Sequence, residues 1–248
     1  DVFVKGTGWG AGTWGSGTWG STTALSAIGQ LRLWSQDNFG DDLIGNIRGG
    51  GIFYWDESSG VTSRAVALSS LGGASDTPIE ALQVMVSDID KHVICFGSNP
   101  IGSSTLNPLF VRWSDTESAS DWTPTATNQA GGIQLSQGSL IVGALQTRQE
   151  ILIWTDVGIT SMRFVGEPFI FSFTEVATGP SLISPNAAVN ANNRVYFMDR
   201  GGFYVYSGSA QRLPCTVLDY IYSDLNLNQA YKCFAASIEN KNEVIWFY

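Results

Sequence analysis

Charged side chains are scarce in this sequence. Lys, Arg, Asp and Glu make up 14% of its 248 residues, against about a quarter in an average soluble domain. Hydrophobic residues reach 44%, so much of the chain is expected in sheets or in subunit contacts. Positive charge is scarcest: 13 Lys and Arg stand against 22 Asp and Glu, a net charge of -9. The basic residues are scattered singly from Lys5 to Lys241, and without a basic patch to grip phosphates, specific nucleic-acid binding is not expected. His92 is the only histidine. It stands beside Lys91 at the mouth of an apolar run, with no nucleophile motif nearby and no HExxH. It gives Ser-His-Asp, Cys-His or multi-histidine zinc chemistry nothing to use and is expected to be a satisfied or exposed turn residue. Cys95, Cys215 and Cys233 are odd in number and lack CxxC spacing, which reads as free thiols in a reducing compartment. There is no Asn-x-Ser/Thr acceptor, no signal-peptide pattern and no apolar stretch of about 18 residues, so neither secretion nor membrane insertion is expected. No catalytic, cofactor-binding or metal-ligating constellation is identified, and no cofactor is expected.

What is abundant points to strands. Twenty-eight glycines, nine tryptophans and many Thr, Val, Ile, Tyr and Phe favour short strands and tight turns. Five segments repeat one pattern, a semi-polar strand, a polar turn and then an apolar run. The runs are Ile52-Phe53-Tyr54-Trp55, Val93-Ile94-Cys95-Phe96, Ile151-Leu152-Ile153-Trp154, Val195-Tyr196-Phe197-Met198 and Val244-Ile245-Trp246-Phe247. Their starts lie 41, 58, 44 and 49 residues apart, the interval of a propeller blade of about four short strands. The expected fold is therefore all-β and β-propeller-type, with about five to six blades of antiparallel meanders. It occupies residues 31–248 behind a Gly/Trp-rich segment, 1–30; a β-sandwich is the alternative. Extra outer strands are expected at Ile159–Phe164 and Phe203–Tyr206, and a short helix within Thr216–Asn228. The final apolar run, Glu243–Tyr248, needs neighbouring strands. This favours a fragment of a longer chain, with completion by Val2-Phe3-Val4 as the other option.

Four motifs have competing readings. Between Gly8 and Gly20 a Trp-Gly pair recurs every five residues and produces two formal GxGxxG matches. A dinucleotide site needs a strand before the glycines and a helix after them. Neither is present, so Trp9, Trp14 and Trp19 are read as interface anchors, with carbohydrate stacking as the alternative. Trp113-Ser114-Asp115-Thr116-Glu117 with Asp121-Trp122 approximates the Asp-box hairpin of sialidase-type propellers, but Glu117 and Ser118 occupy its glycine region and it occurs once. Asp37-Asn38-Phe39-Gly40-Asp41-Asp42 carries oxygen ligands suited to calcium, yet its spacing is not that of an EF-hand and turn chemistry accounts for it. The carboxylate pairs Asp88/Asp90 and Asp115/Glu117 lie in polar turns and are read as solvated.

Several longer strings carry a family likeness. Leu33–Ile44 with Arg48–Asp56, Arg112–Asp115 with Asp121–Pro124, Arg148–Asp156 and Ser184–Ala187 resemble segments of tailed-bacteriophage structural proteins. Val93–Ser98 and the run from Val205 to Tyr222 resemble the tail hub or nozzle proteins of short-tailed phages, also called packaged-DNA stabilisation proteins. The resemblance implies a virion tail protein, made in the bacterial host cytoplasm, whose propellers form a six-membered ring. Its implied partners are further copies of itself, portal or adaptor proteins, and tail fibre, spike or needle proteins, with DNA passing through non-specifically. An acidic wall suits such a conduit, since it repels phosphates within a Debye length of about 8 Å. Two other functions remain open: a receptor- or glycan-binding module of a phage tail, and a sialidase-like glycosidase, which would need an arginine cluster and a Tyr-Glu pair that the sequence does not pick out.

Overall fold

Each of the five apolar runs is one strand of an antiparallel hairpin, and the hairpins build a row of separate sheets. The computed structural model describes residues 32–88 and 90–248; Trp9, Trp14 and Trp19 lie outside them. The first sheet is a meander of β1 (Trp34–Phe39), β2 (Asp42–Ile47), β3 (Ile52–Trp55) and β4 (Val66–Ala67). The second comprises β5 (Ala81–Val86), β6 (Val93–Ser98), β7 (Phe110–Trp113) and β8 (Gly131–Gln134). The third comprises β9 (Ile141–Gln146), β10 (Ile151–Thr155), β11 (Gly158–Gly166) and β12 (Ile170–Thr178). The fourth comprises β13 (Ala188–Ala191), β14 (Arg194–Asp199), β15 (Gly202–Tyr206) and β16 (Ala210–Arg212). A short helix, α1 (Leu218–Asp224), then leads to a two-stranded sheet of β17 (Phe234–Ile238) and β18 (Glu243–Phe247). The fold is all-β, in five sheets rather than the two of a sandwich.

Turn chemistry sets the hairpins. Gly40, at φ +69, turns the chain between β1 and β2, and Asn192 and Asn193, at +52 and +60, form the two-residue link between β13 and β14. Two successive positive φ values match the right-handed twist of the flanking strands, and Asn tolerates them.

The repeat in the sequence is one strand out of phase at its start. Ile52–Trp55 is the third strand of its sheet, whereas the other four runs are second strands. The second strands begin at residues 42, 93, 151, 194 and 243, at intervals of 51, 58, 43 and 49. The slip comes from β1, whose sequence WSQDNF is too polar to register as a strand. It is the innermost strand of the first sheet, and β2, interrupted by Gly45 and Asn46, passes for its opening hairpin arm.

Packing explains the continuous apolar runs in the second strands β6, β10 and β14. Val93 and Cys95 of β6 pack with Ile44 and Ile52 of the first sheet, while Ile94 and Phe96 pack with Ile151 and Ile153 of the third. Leu152 and Trp154 on the opposite face of β10 meet Val195 and Phe197 of β14. Met198 packs with Phe203, Cys233 and the partly buried Trp246 of β18. A strand in the middle of such a row has no solvent face, so the usual polar alternation disappears. Each buried side chain of this size contributes about 1.5–3 kcal/mol relative to exposure.

Trp154 is fully buried, with its indole ring centred 5.5 Å from that of Phe197, and its Nε1–H has no hydrogen-bond partner. Trp154→Ala should therefore cost about 3–5 kcal/mol. Trp154→Phe should cost under about 1.5 kcal/mol, because it removes an unpaired donor as well as volume. Urea unfolding of both variants checks this ordering.

Candidate functional site: a cavity among the innermost strands

Among the described residues the first strand of every sheet has one edge with no strand partner, which leaves N–H and C=O groups to be satisfied by other means. Side chains from the neighbouring sheet do this. Ser35 Oγ accepts from Val84 N at 2.9 Å and Asp37 Oδ2 from Val86 N at 2.8 Å, joining β1 to β5. The two acceptors and the two donors are each two residues apart, so the side chains share one face of β1 and the N–H groups one edge of β5. Gln83 acts as a two-way clamp on β9, its Nε2 donating to Ala144 O at 2.7 Å and its Oε1 accepting from Ala144 N at 2.8 Å. Asn46, fully buried, donates to Ala81 O at 3.2 Å. Ala235 N donates to Asn186 O at 2.8 Å, fixing the fifth sheet to the fourth.

Arg48 reaches furthest. It leaves the end of β2, donates from Nη1 to Leu82 O at 3.3 Å and from Nη2 to Ile141 O at 3.2 Å, and so ties three sheets together. These joints surround a cavity of about 550 Å³ to which all five sheets contribute wall residues. Among the described residues Arg48 is the only cation in the wall and Asp37 the only carboxylate; Trp34, Gln36, Asn186 and Phe234 also line it. Burial pulls the Arg48 guanidinium down to about 10, and no carboxylate offsets that loss of solvation.

The other polar centres are structural joints. Arg112 is fully buried in the second sheet, pairs with Asp76 at 3.1 Å, donates to Asp76 O, and at 3.2 Å to Trp122 O, and lies over the Trp122 ring at 5.8 Å. Glu150 gathers Ser161, the Arg163 guanidinium at 2.9 Å and the Tyr206 hydroxyl at 2.9 Å, the last from the fourth sheet. Desolvation raises the Glu150 carboxyl, but the Ser161, Tyr206 and Arg163 bonds outweigh it and hold it below the usual value. In the Asp37–Asp42 turn two of the three carboxylates are taken by protein donors: Asp37 by Asn38 N and Val86 N, Asp42 by Glu57 N and the Tyr54 hydroxyl. Among the described residues no group of three or more His, Cys, Asp and Glu is placed to hold a metal ion, and no helix is long and apolar enough to cross a membrane.

The Asp-box-like segment forms the turn between β7 and β8. Asp115 Oδ1 accepts from Gln129 N at 2.8 Å, Trp122 is fully buried, and Glu117 adopts φ +54 in the glycine region of that pattern. Cys95, Cys215 and Cys233 are free thiols, and burial pushes Cys95 up to about 12, so it is no thiolate nucleophile. The candidate interface residues Trp9, Trp14 and Trp19 cannot be placed relative to this site, being outside the described residues.

The cavity residues were not singled out by their sequence. Ser35, Asp37 and Gln83 look like ordinary polar positions of semi-polar strands. The signal available was their phase: Ser35 and Asp37 share a face of the first sheet with Ile44 and Asn46, and Gln83 lies on the face of the second that carries Phe96. No protein-family model matches the chain by sequence, and no curated protein matches it either.

His92 is satisfied and buried in its turn, with Nδ1 2.8 Å from Ser114 O and its ring 5.3 Å from that of Phe171. Desolvation lowers its pKa below 6.5, more than the Ser114 carbonyl, Asp90, Asp115 and Gln129 raise it. Folding thus favours the neutral ring. Its contribution is present above the unfolded value, about 6.5, and is lost as pH falls through the folded one. The single histidine resonance should titrate below 6.5, and His92→Gln should flatten the stability profile just below that pH. Arg112→Ala, which takes the ion-pair partner from Asp76 and the side-chain donor from the Asn99, Asp76 and Trp122 carbonyls, should cost about 3–5 kcal/mol in the same unfolding assay.

Proposed function

We propose that this chain is a structural subunit of a phage tail, a β-propeller-type hub or nozzle protein whose ring forms part of the channel that retains and then passes packaged DNA. The observation that carries the reading is the row of four-stranded meanders, stacked face to face in chain order, with their innermost strands around one cavity. That is the way propeller blades are arranged. The five sheets are read as blades of a set of five or six.

The surface supports a role in assembly. The face of the first sheet turned away from the second carries Leu43, Phe53 and Trp55, and the corresponding face of the fifth carries Ile245 with Phe234 and Phe247, whose rings stack at 4.5 Å. Phe234 and Phe247 are nearly half exposed. The long β11–β12 hairpin ends in Val165 and Phe169, the latter 76% exposed. Apolar surface of this kind marks contacts with other chains. Net charge of -9 suits a wall that DNA slides past. The resemblance of the sequence strings to short-tailed-phage proteins adds the ring of six, the portal or adaptor above it and the fibre, spike or needle proteins beside it.

Cryo-electron microscopy of the virion tests the proposal: density for this chain should form a ring below the portal around an acidic lumen. A protein that remains monomeric and leaves no density in any virion would refute it. Phe169→Asp should leave the thermal midpoint within about 2 °C, as expected for an exposed position, while weakening ring formation in native mass spectrometry. The chain should also fail to retard duplex DNA at physiological salt.

A further inference from the structure

The cavity wall contains more hydrogen-bonding capacity than the joints between sheets use. A guanidinium carries five N–H donors in a planar fork, and Arg48 spends two of them, on Leu82 O and Ile141 O. It forms no ion pair; the salt bridges among the described residues are Lys91–Glu117, Arg112–Asp76 and Arg163–Glu150. Asp37, the other charged group in the wall, is engaged with Asn38 N and Val86 N. Among the described residues the side-chain amides of Gln36 and Asn186 have no hydrogen-bond partner, and both residues are exposed. Trp34 is 53% exposed at the same wall. A desolvated cation without a counter-ion is costly, and an entering anion would relieve that cost.

These groups together define one class of ligand. A partly spent guanidinium suits a carboxylate, which accepts two parallel N–H bonds. Amides that both donate and accept suit neighbouring hydroxyls, and an exposed indole face suits the C–H face of a sugar ring. The volume, about 550 Å³, falls in the range of roughly 300–1,000 Å³ usual for small-molecule sites. We propose that the central cavity binds a sugar acid of monosaccharide size, with its carboxylate on Arg48, its hydroxyls on Gln36 and Asn186 and its ring against Trp34. This site goes beyond the tail-ring reading and does not depend on it, since a single chain contains every wall residue named.

Isothermal titration of the full chain with sodium D-glucuronate, D-glucose and sodium acetate tests the assignment. Glucuronate should bind, and more tightly than either of the others, because glucose lacks the anion and acetate lacks the hydroxyls. Arg48→Gln should weaken glucuronate about thirtyfold or more, as expected when one partner of a charge-assisted pair is removed. The Gln36 side chain makes no hydrogen bond among the described residues, while its backbone stays in the β1–β2 ladder, so Gln36→Ala should keep the wild-type thermal midpoint and weaken glucuronate about two- to tenfold. The proposal is overturned by absence of glucuronate binding, by acetate binding as tightly as glucuronate, or by wild-type affinity in Gln36→Ala. If Arg48→Gln fails to fold, the Gln36→Ala titration decides by itself.

Discussion

Burial of the middle strands on both faces is the constraint from which the rest of this structure follows. A four-stranded meander has two faces and cannot cover either alone. Ile94 and Phe96 need the third sheet just as Val93 and Cys95 need the first, and the same holds for Leu152 and Trp154 against Val195 and Phe197. Each sheet is therefore completed by its neighbours, and the row holds together as a set of nearest-neighbour interfaces. Repeat architectures share this property. At the two ends of the row Leu43, Phe53 and Trp55, and Phe234, Ile245 and Phe247, lie on the outward sides of their sheets.

Stacking by faces creates a second requirement at the inner edge. Sheets that meet face to face leave the edges of their first strands without ladder partners. The protein answers with side chains of fixed length and direction: Ser35, Asp37, Asn46, Arg48 and Gln83. The same arrangement that satisfies the backbone makes the central cavity polar and places one uncompensated cation in its wall. Architecture and candidate binding chemistry thus have one origin, which is why the cavity can be described without reference to any catalytic motif.

The strand content and the hairpins were legible because two-sided burial writes continuous apolar runs into the sequence, such as Ile151–Trp154. The helix near Thr216–Asn228 was legible from i+3/i+4 spacing and appears as α1. What was hidden is also physical. β1 reads as polar because two of its residues point at backbone groups rather than at a hydrophobic core, and this displaced the first repeat by a strand. The short β4 and β8 carry little apolar signal. Arg48 was quoted within a family-like string, but its role depends on Leu82 and Ile141, partners 34 and 93 residues away, and a linear pattern does not encode such distances. His92 was expected in a turn and is buried there, because Phe171 of the third sheet covers it.

Native-state hydrogen exchange is the most direct test of the central claim. If each middle strand depends on neighbours at both faces, the amides of β6, β10 and β14 should be the most protected. They should open together, at a free energy close to that of global unfolding. Independent opening of individual sheets, or early exchange in β6 or β10, would contradict the account.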